Sequence, residues 1–456
     1  MLHTFNNQNL FWSPFGFEMK SGQLETVKAT VDKVHIDGVR KTKEDILVNA
    51  VNQMFEVNDF TSVLLKSKET KSILSGLGCF KKVDILIDTS QGPGASPDGL
   101  EVTFLVTEYD KPMGSINTVV GDNEGSVVIG GHLPNLKGRG ESLSLEYSHG
   151  TKKSSAFNVT FLKPLHNKSK ASWNASVFQG LADFPSSGYK ELNRGAILNF
   201  DFNSVPLVRH TVSWEGVWRN LRCINRSTAF AVREHSGHSL KSSLKHALVA
   251  DTRDSNVFPT EGVLFRVIQE YAGFGGGNIG FLKHDAEFQL NIPLFADAVF
   301  QAGAIAGHLQ SLPNGKTYAL QDRHFLGGPV NVRGFEMRGV GPHSDGNSIG
   351  AETYWAVGAH LFAPLPFLRG KGGLSERFRS HFFATAGNIG NFKLGSSLKE
   401  NMGILAENFR LSYGIGIALK LAEVARVELN YCWPRRVMKG DRPNPGLQFG
   451  IGLHFL

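Results

Sequence analysis

The chain has 456 residues, including 51 glycines, 33 phenylalanines and three cysteines, with a formal net charge of +7. Mean hydropathy is slightly negative, and no apolar run approaches the ~20 residues of a membrane-spanning helix. A modest charge spread along the chain marks no nucleic-acid binder. Cys79, Cys223 and Cys432 lie too far apart for a disulfide framework or a zinc ribbon.

Residues 1–24 carry neither a basic stretch before an apolar core nor an Arg-rich amphipathic pattern, so they read as an extension rather than a secretory signal or matrix presequence. Residues 25–109 read as a small α+β domain. Val27–Ile36 has strand character and Gly38 closes it. Thr42 with Asp45 suggests a helix start, and Ile46, Leu47, Ala50, Val51 and Met54 share one helical face. A second helical segment runs through Val63, Leu64, Ile73, Leu74 and Leu77 to Gly78. Two alternating strands follow, one with Val83, Ile85 and Ile87, the other with Val102, Phe104 and Val106. The loop Gln91–Gly99 separates them.

Beyond Tyr109 the helical period gives way to alternation. Leu143, Leu145 and Tyr147 oppose Ser142, Ser144, Glu146 and Ser148. Leu282, Ala286, Phe288 and Leu290 oppose Lys283, Asp285, Glu287, Gln289 and Asn291. Val427, Leu429, Tyr431 and Trp433 oppose Arg426, Glu428 and Asn430. So many half-apolar strands with so little helix to cover them point to lipid as the cover. Hydrocarbon also demands a closed sheet, because open backbone edges find no partner there. Sixteen segments are expected, at 124–132, 140–149, 154–163, 170–179, 189–203, 207–220, 226–236, 239–252, 261–273, 279–291, 297–309, 347–363, 378–389, 408–420, 424–433 and 446–456. The fold class is therefore an all-β membrane protein: one small domain, then a 16-stranded antiparallel transmembrane barrel over 110–456.

A long polar interval, 310–346, separates the eleventh and twelfth segments. It contains Gly327-Gly328-Pro329-Val330-Asn331-Val332-Arg333-Gly334-Phe335. An arginine between glycines suits a loop folded back into a lumen, where the guanidinium makes charge-assisted hydrogen bonds and glycine permits close approach. Val332, Arg333, Gly334 and Phe335 resemble the Val-Arg-Gly-Phe signature of the barrel-assembly superfamily that includes bacterial BamA. The strand number before the loop resembles that family too, and the β-α-α-β-β domain with Leu77–Val83 looks like a single POTRA domain. In bacterial relatives carboxylates on the next two strands receive the arginine; the corresponding positions here hold His360 and Thr385. Strand parity puts Glu352 on the face of Tyr354 and His360, so Arg333–Glu352 is the expected pair.

The last strand, Gln448-x-Gly450-x-x-Leu453-x-Phe455, resembles the β-signal of mitochondrial barrels. It is expected to meet the first strand near Val127, Val128, Ile129 and Gly130. Gly450 and Gly452 weaken this seam, since glycine supplies no cross-strand side chain. His238–Ala247, Asp251–Asp254, Gly341–His343 and Glu428–Cys432 extend the likeness to the mitochondrial branch, the family of central barrel subunits of the sorting and assembly machinery. That resemblance implies insertion of β-barrel precursors into the mitochondrial outer membrane, with the POTRA domain in the intermembrane space. Implied partners are porin-type and import-channel-type precursors, metaxin-like subunits, a cristae-organising complex and outer-membrane lipid, with no nucleic acid. A protein-conducting channel of the same superfamily, or a scaffold bridging to inner-membrane complexes, is the alternative. No enzyme is expected. Gly315-Lys316-Thr317 lacks the earlier glycine of a phosphate loop, and Gly273–Gly277 sits in a hairpin rather than a strand-to-helix turn. No cofactor or metal is called for.

Overall fold

The computed structural model describes residues 27–92, 94–121, 124–165, 170–312, 315–365, 377–392, 398–421, 425–452 and 455–456. The extension 1–24 and Leu453 therefore lie outside the described residues. The chain divides into two compact units.

The smaller unit comprises 1–113 with the segments 132–143 and 162–166. Strand β1 (Thr30–Asp37) is followed by helices α1 (Glu44–Val51) and α2 (Phe60–Gly76), then β2 (Phe80–Thr89) and β3 (Gly99–Glu108). The sheet order is β1-β3-β2, with β1 parallel and β2 antiparallel to the central β3. Met54, Val63, Leu74, Cys79, Val102 and Phe104 are wholly buried between helices and sheet. Alternation on the strands and 3.6-residue spacing on the helices place these residues there. Asp59, which the sequence reading passed over, caps α2 through Ser62 N–H at 2.8 Å. Thr42 does not cap α1. Its hydroxyl accepts from Asn135 Nδ2 at 3.2 Å, and its N–H donates to Glu108.

The larger unit holds a sixteen-stranded sheet in which every strand neighbours the next in the chain. The strands are β4 (Met113–Gly121), β5 (Glu124–Leu133), β6 (Ser142–Gly150), β7 (Ser155–Pro164), β8 (Ser172–Phe184), β9 (Tyr189–Val205), β10 (Val208–Cys223) and β11 (Gly237–Asp251). They continue as β12 (Gly262–Ala272), β13 (Phe281–Pro293), β14 (Val299–Ser311), β15 (Thr353–Pro364), β16 (Phe378–Gly390), β17 (Arg410–Leu421), β18 (Ala425–Arg436) and β19 (Gly446–Gly452). The expected number holds, but two assignments differ and cancel. Met113–Gly121 is the true first strand; Gly114 and Gly121 dilute its alternation. Residues 226–236 form no strand. They hold the short helix α3 (Phe230–Arg233), where Val232 is buried and Phe230 is exposed, so the two do not share the face that a strand would give them. A further helix, α4 (Leu398–Ala406), lies between β16 and β17.

The sheet is inverted relative to a water-soluble one. Val127, Ile129, Trp173, Val177, Phe265, Phe288, Ile415 and Phe449 are exposed, while Lys241, Glu270, Gln301, His360, His381, Glu428 and Asn430 are buried. No described helix is long and apolar enough to cross a membrane. The apolar exterior and polar interior are the pattern that lipid selects for strands. Curvature follows from the loop between β14 and β15. It touches β10 through Arg219–Asp322 at 2.7 Å and β19 through Gly334 N–H to Gln448 Oε1 at 3.0 Å. Strands far apart in sheet order can share one loop only if the sheet wraps around it.

Candidate functional site

The loop narrows to a neck where Leu326 and Val340 bridge antiparallel, with Val340 N–H donating to Leu326 O at 3.0 Å. Inside the neck, Gly327 N–H and Val332 N–H both donate to Asn331 Oδ1, so one side chain replaces backbone partners in the turn. Val332 and Phe335 are wholly buried, clustered with Leu326, Val340, Ala351, Ala356 and Ile389. These apolar flanks fix the segment and leave Arg333 only one direction. Gly334 has φ +81°, and a Cβ there would lie 2.5 Å from Ser412 Oγ. Both the conformation and the space require glycine.

Arg333 is completely buried. Its Nε donates to Glu428 Oε2 at 3.0 Å, NH2 lies 2.9 Å from the same oxygen, and NH1 donates to Leu456 O at 3.1 Å. Glu428 Oε1 lies 3.0 Å from Arg426 Nε, so one carboxylate on β18 serves two arginines. Aromatic rings complete both cations. Arg333 faces Phe383 (5.2 Å) and Phe455 (5.5 Å), and Arg426 faces Phe455 (4.3 Å), Phe362 (5.2 Å) and Phe258 (5.8 Å). Asn430 Nδ2 donates to Glu428 Oε2 at 2.9 Å, and Asn430 Oδ1 lies 2.8 Å from His381 Nδ1. That oxygen can only accept, so His381 Nδ1 carries a proton, and its Nε2 lies 3.0 Å from His360 Nδ1.

The expected Arg333–Glu352 pair is not formed. Glu352 precedes β15 and accepts from the Tyr318 hydroxyl; its carbonyl accepts from Leu309 N–H. Parity gave its face correctly, but the loop tip lies against β18 and β19, away from the mouth where β15 begins. His360 stands in the site as the end of the His381–Asn430 relay rather than as a contact of Arg333. Thr385 is buried on the same wall, and its hydroxyl finds no partner among the described residues. Glu428 was missed although a signal existed: among the described inward-facing residues of β15 to β19 it is the sole carboxylate.

Val127, Val128, Ile129 and Gly130 lie on β5, between β4 and β6, so they do not border the last strand. The strand missed at Met113–Gly121 displaced the expected seam by one. Gln448, Gly450 and Gly452 face inward on β19. Gln448 clasps the loop reciprocally, its Oε1 accepting from Gly334 N–H at 3.0 Å and its Nε2 donating to Phe335 O at 2.8 Å. A Cβ on Gly450 would lie 2.9 Å from Pro329 Cβ. Phe455 was expected inside the last strand, 446–456. It is buried beside both arginines instead: at Phe455 and Leu456 the chain is no longer in a strand, and Leu456 N–H donates to Val330 O at 2.9 Å.

On the far wall, Lys241 lies 2.8 Å from Glu270 and 3.5 Å from Glu215, and Lys245 also pairs with Glu215. Among the described residues no group of His, Cys, Asp and Glu could hold a metal ion. The arrangement suits holding a loop and a strand edge in place.

An Omp85 superfamily domain matches residues 135–455. The chain is 46% identical over 441 residues to the sorting and assembly machinery component 50 homolog of Mus musculus, covering 96% of this chain and 93% of that one. It is 37% identical over 439 residues to a SAM50-like protein of Drosophila melanogaster, covering 95% and 96%. Among solved structures it resembles BamA from Haemophilus ducreyi lacking POTRA domains 1–3, with TM-score 0.75 and 19% identity over 93% of this chain and 84% of that one. That likeness carries the fold, a sixteen-stranded antiparallel transmembrane β-barrel. The chain belongs to the Omp85 superfamily and, within it, to the family of sorting and assembly machinery component 50 homologues.

Proposed function

We propose that this protein inserts β-barrel precursors into the mitochondrial outer membrane, templating incoming strands at the seam between β4 and β19. The observation that carries the reading is the grip of the Val332–Phe335 motif on β18 and β19. Three of the seven described residues of the last strand, Gly446–Gly452, are glycine. Its inner face is tied to the loop through Gln448 and Arg333–Glu428, which supports a strand held from within while its edge exchanges partners. An edge offered this way recognises a client by main-chain hydrogen bonds, tolerating many sequences. It also spares each new strand the several kcal/mol per unpaired backbone group that hydrocarbon imposes. No covalent step is needed. The names of the relatives support the setting, a sorting and assembly machinery. In that setting the small domain faces the intermembrane space, metaxin-like subunits flank the barrel, and a cristae-organising complex lies on the inner side.

Cysteines at Ile116 on β4 and Ile451 on β19, placed in the full chain in organelles, test this. Arrested porin precursors should crosslink through their last strand to the Ile116 position and through their first to the Ile451 position. A conducting pore or a scaffold would give neither product, and their absence would refute the proposal.

A further inference from the structure

The loop carries a second arginine, five residues after Arg333, that points to other strands. Arg338 has φ +58°, a conformation that side chains other than glycine rarely adopt. Its guanidinium lies over two rings, 4.0 Å from the centroid of Phe325 and 4.3 Å from that of Phe184. NH1 donates to Ser187 Oγ at 3.0 Å and lies 3.3 Å from the Tyr189 hydroxyl. Ser187 and Tyr189 are fully buried, and Tyr189 packs with Leu221, Val232 and Leu320. Arg338 N–H donates to Gly327 O at 3.0 Å, closing the base of the turn that carries Arg333 at its tip. One closed turn thus presents two arginines, one to β18 and β19, the other to the junction of β8 and β9. A left-handed arginine held by two rings and two hydroxyls is over-determined, as strained positions are where geometry is being set.

We propose that Arg338 is a positioning residue, the far anchor of a brace across the lumen, through which β8 and β9 set where Arg333 and Gly334 hold β18 and β19. The proposal rests on the seam reading above, because only there does the placement of β19 matter to activity.

The test uses the full chain, both in organelles and reconstituted in planar bilayers. Arg338→Gly keeps the left-handed backbone unstrained while removing the side chain. Arg338→Lys keeps the charge but loses the stacked plane and its hydrogen-bond geometry. Arg338→Gly should raise open-state current fluctuation above wild type and slow precursor assembly about thirtyfold, the scale of one lost desolvated cation–π contact. Arg338→Lys should fall between. The Arg333→Ala, Arg338→Gly double variant should be no worse than the poorer single one, since a brace fails when either end is free. Wild-type current in both Arg338 variants, or losses that multiply in the double variant, would overturn the proposal. Conductance needs no precursor, so altered current with intact assembly would leave the brace standing and count against the seam reading instead.

Discussion

Glu428→Gln isolates the loop's counter-ion while conserving shape. In the folded barrel Glu428 and Arg333 are both fully buried, and Arg426 is 3% exposed. Neutralising the carboxylate leaves two guanidinium groups facing one amide, with only Asn430, Leu456 O and aromatic faces in reserve. Removing one partner of a buried ion pair costs about 3–5 kcal/mol, roughly two to three and a half decades in the folding equilibrium. Glu352→Gln is the matched control. It turns one charge-assisted, part-buried hydrogen bond from Tyr318 into a neutral one, a loss of about 1 kcal/mol. Urea unfolding in lipid vesicles, followed by tryptophan fluorescence and heat-modifiable gel migration, ranks the two. A swap, Arg333→Glu with Glu428→Arg, should rescue only in part, because the new arginine would sit where Glu428 now meets Arg426. Equal costs for the two glutamine substitutions, or a larger cost at Glu352, would refute the assignment of Glu428 as the counter-ion.

Two further predictions concern the smaller unit. Burial pushes the Cys79 thiol up to about 11; at pH 8 iodoacetamide should modify it on the order of 10²-fold more slowly than an exposed cysteine, until denaturant opens the unit. Burial of Glu108 opposes its ionisation, but hydrogen bonds from Thr42 and from the Lys41 N–H outweigh that and hold its carboxyl below the ordinary 4.5. Its stabilisation is therefore complete above 4.5 and fades as pH falls through the lowered folded value. Glu108→Gln should make the unit more protease-sensitive than wild type to thermolysin at pH 7, and the difference should vanish with pepsin near pH 2.

Alternation carried most of the barrel. β13 and β18 read directly because each alternates over many residues with charges on one side and large apolar groups on the other. β4 did not, since its glycines and small polar residues leave period two with little amplitude. Phe230 and Val232 mimicked a strand because two apolar residues two apart fit either a short helix or a strand. Only the contacts made afterwards decide between them. The Val332–Phe335 motif was legible because its chemistry is local: glycine geometry at Gly334, apolar anchors on either side, one cation between them. Arg333's partner was not, because it lies 95 residues away and is chosen by how the sheet wraps. Parity says which residues face the lumen and is silent on which face each other. Arg338 left no signal in one dimension, for its two rings come from different elements, Phe184 from the end of β8 and Phe325 from the loop.

Charge balance explains why His360 and Thr385 can stand where carboxylates were expected. Arg333 and Arg426 bring two positive charges into a space holding one carboxylate, Glu428. A second carboxylate would balance the sum, yet it would have to be desolvated on a wall already lined by Phe362 and Phe383. Aromatic faces do the work without that cost: two rings meet Arg333 and three meet Arg426, each contributing about 0.5–2 kcal/mol where water is excluded. Phe455 is shared by both cations. The same ring that helps neutralise the loop's arginine therefore also holds Phe455 itself in the lumen, beside both guanidinium groups. In this barrel the seating of Phe455 and the burial of the loop arginine are one feature, and a substitution such as Phe455→Ala should loosen both together.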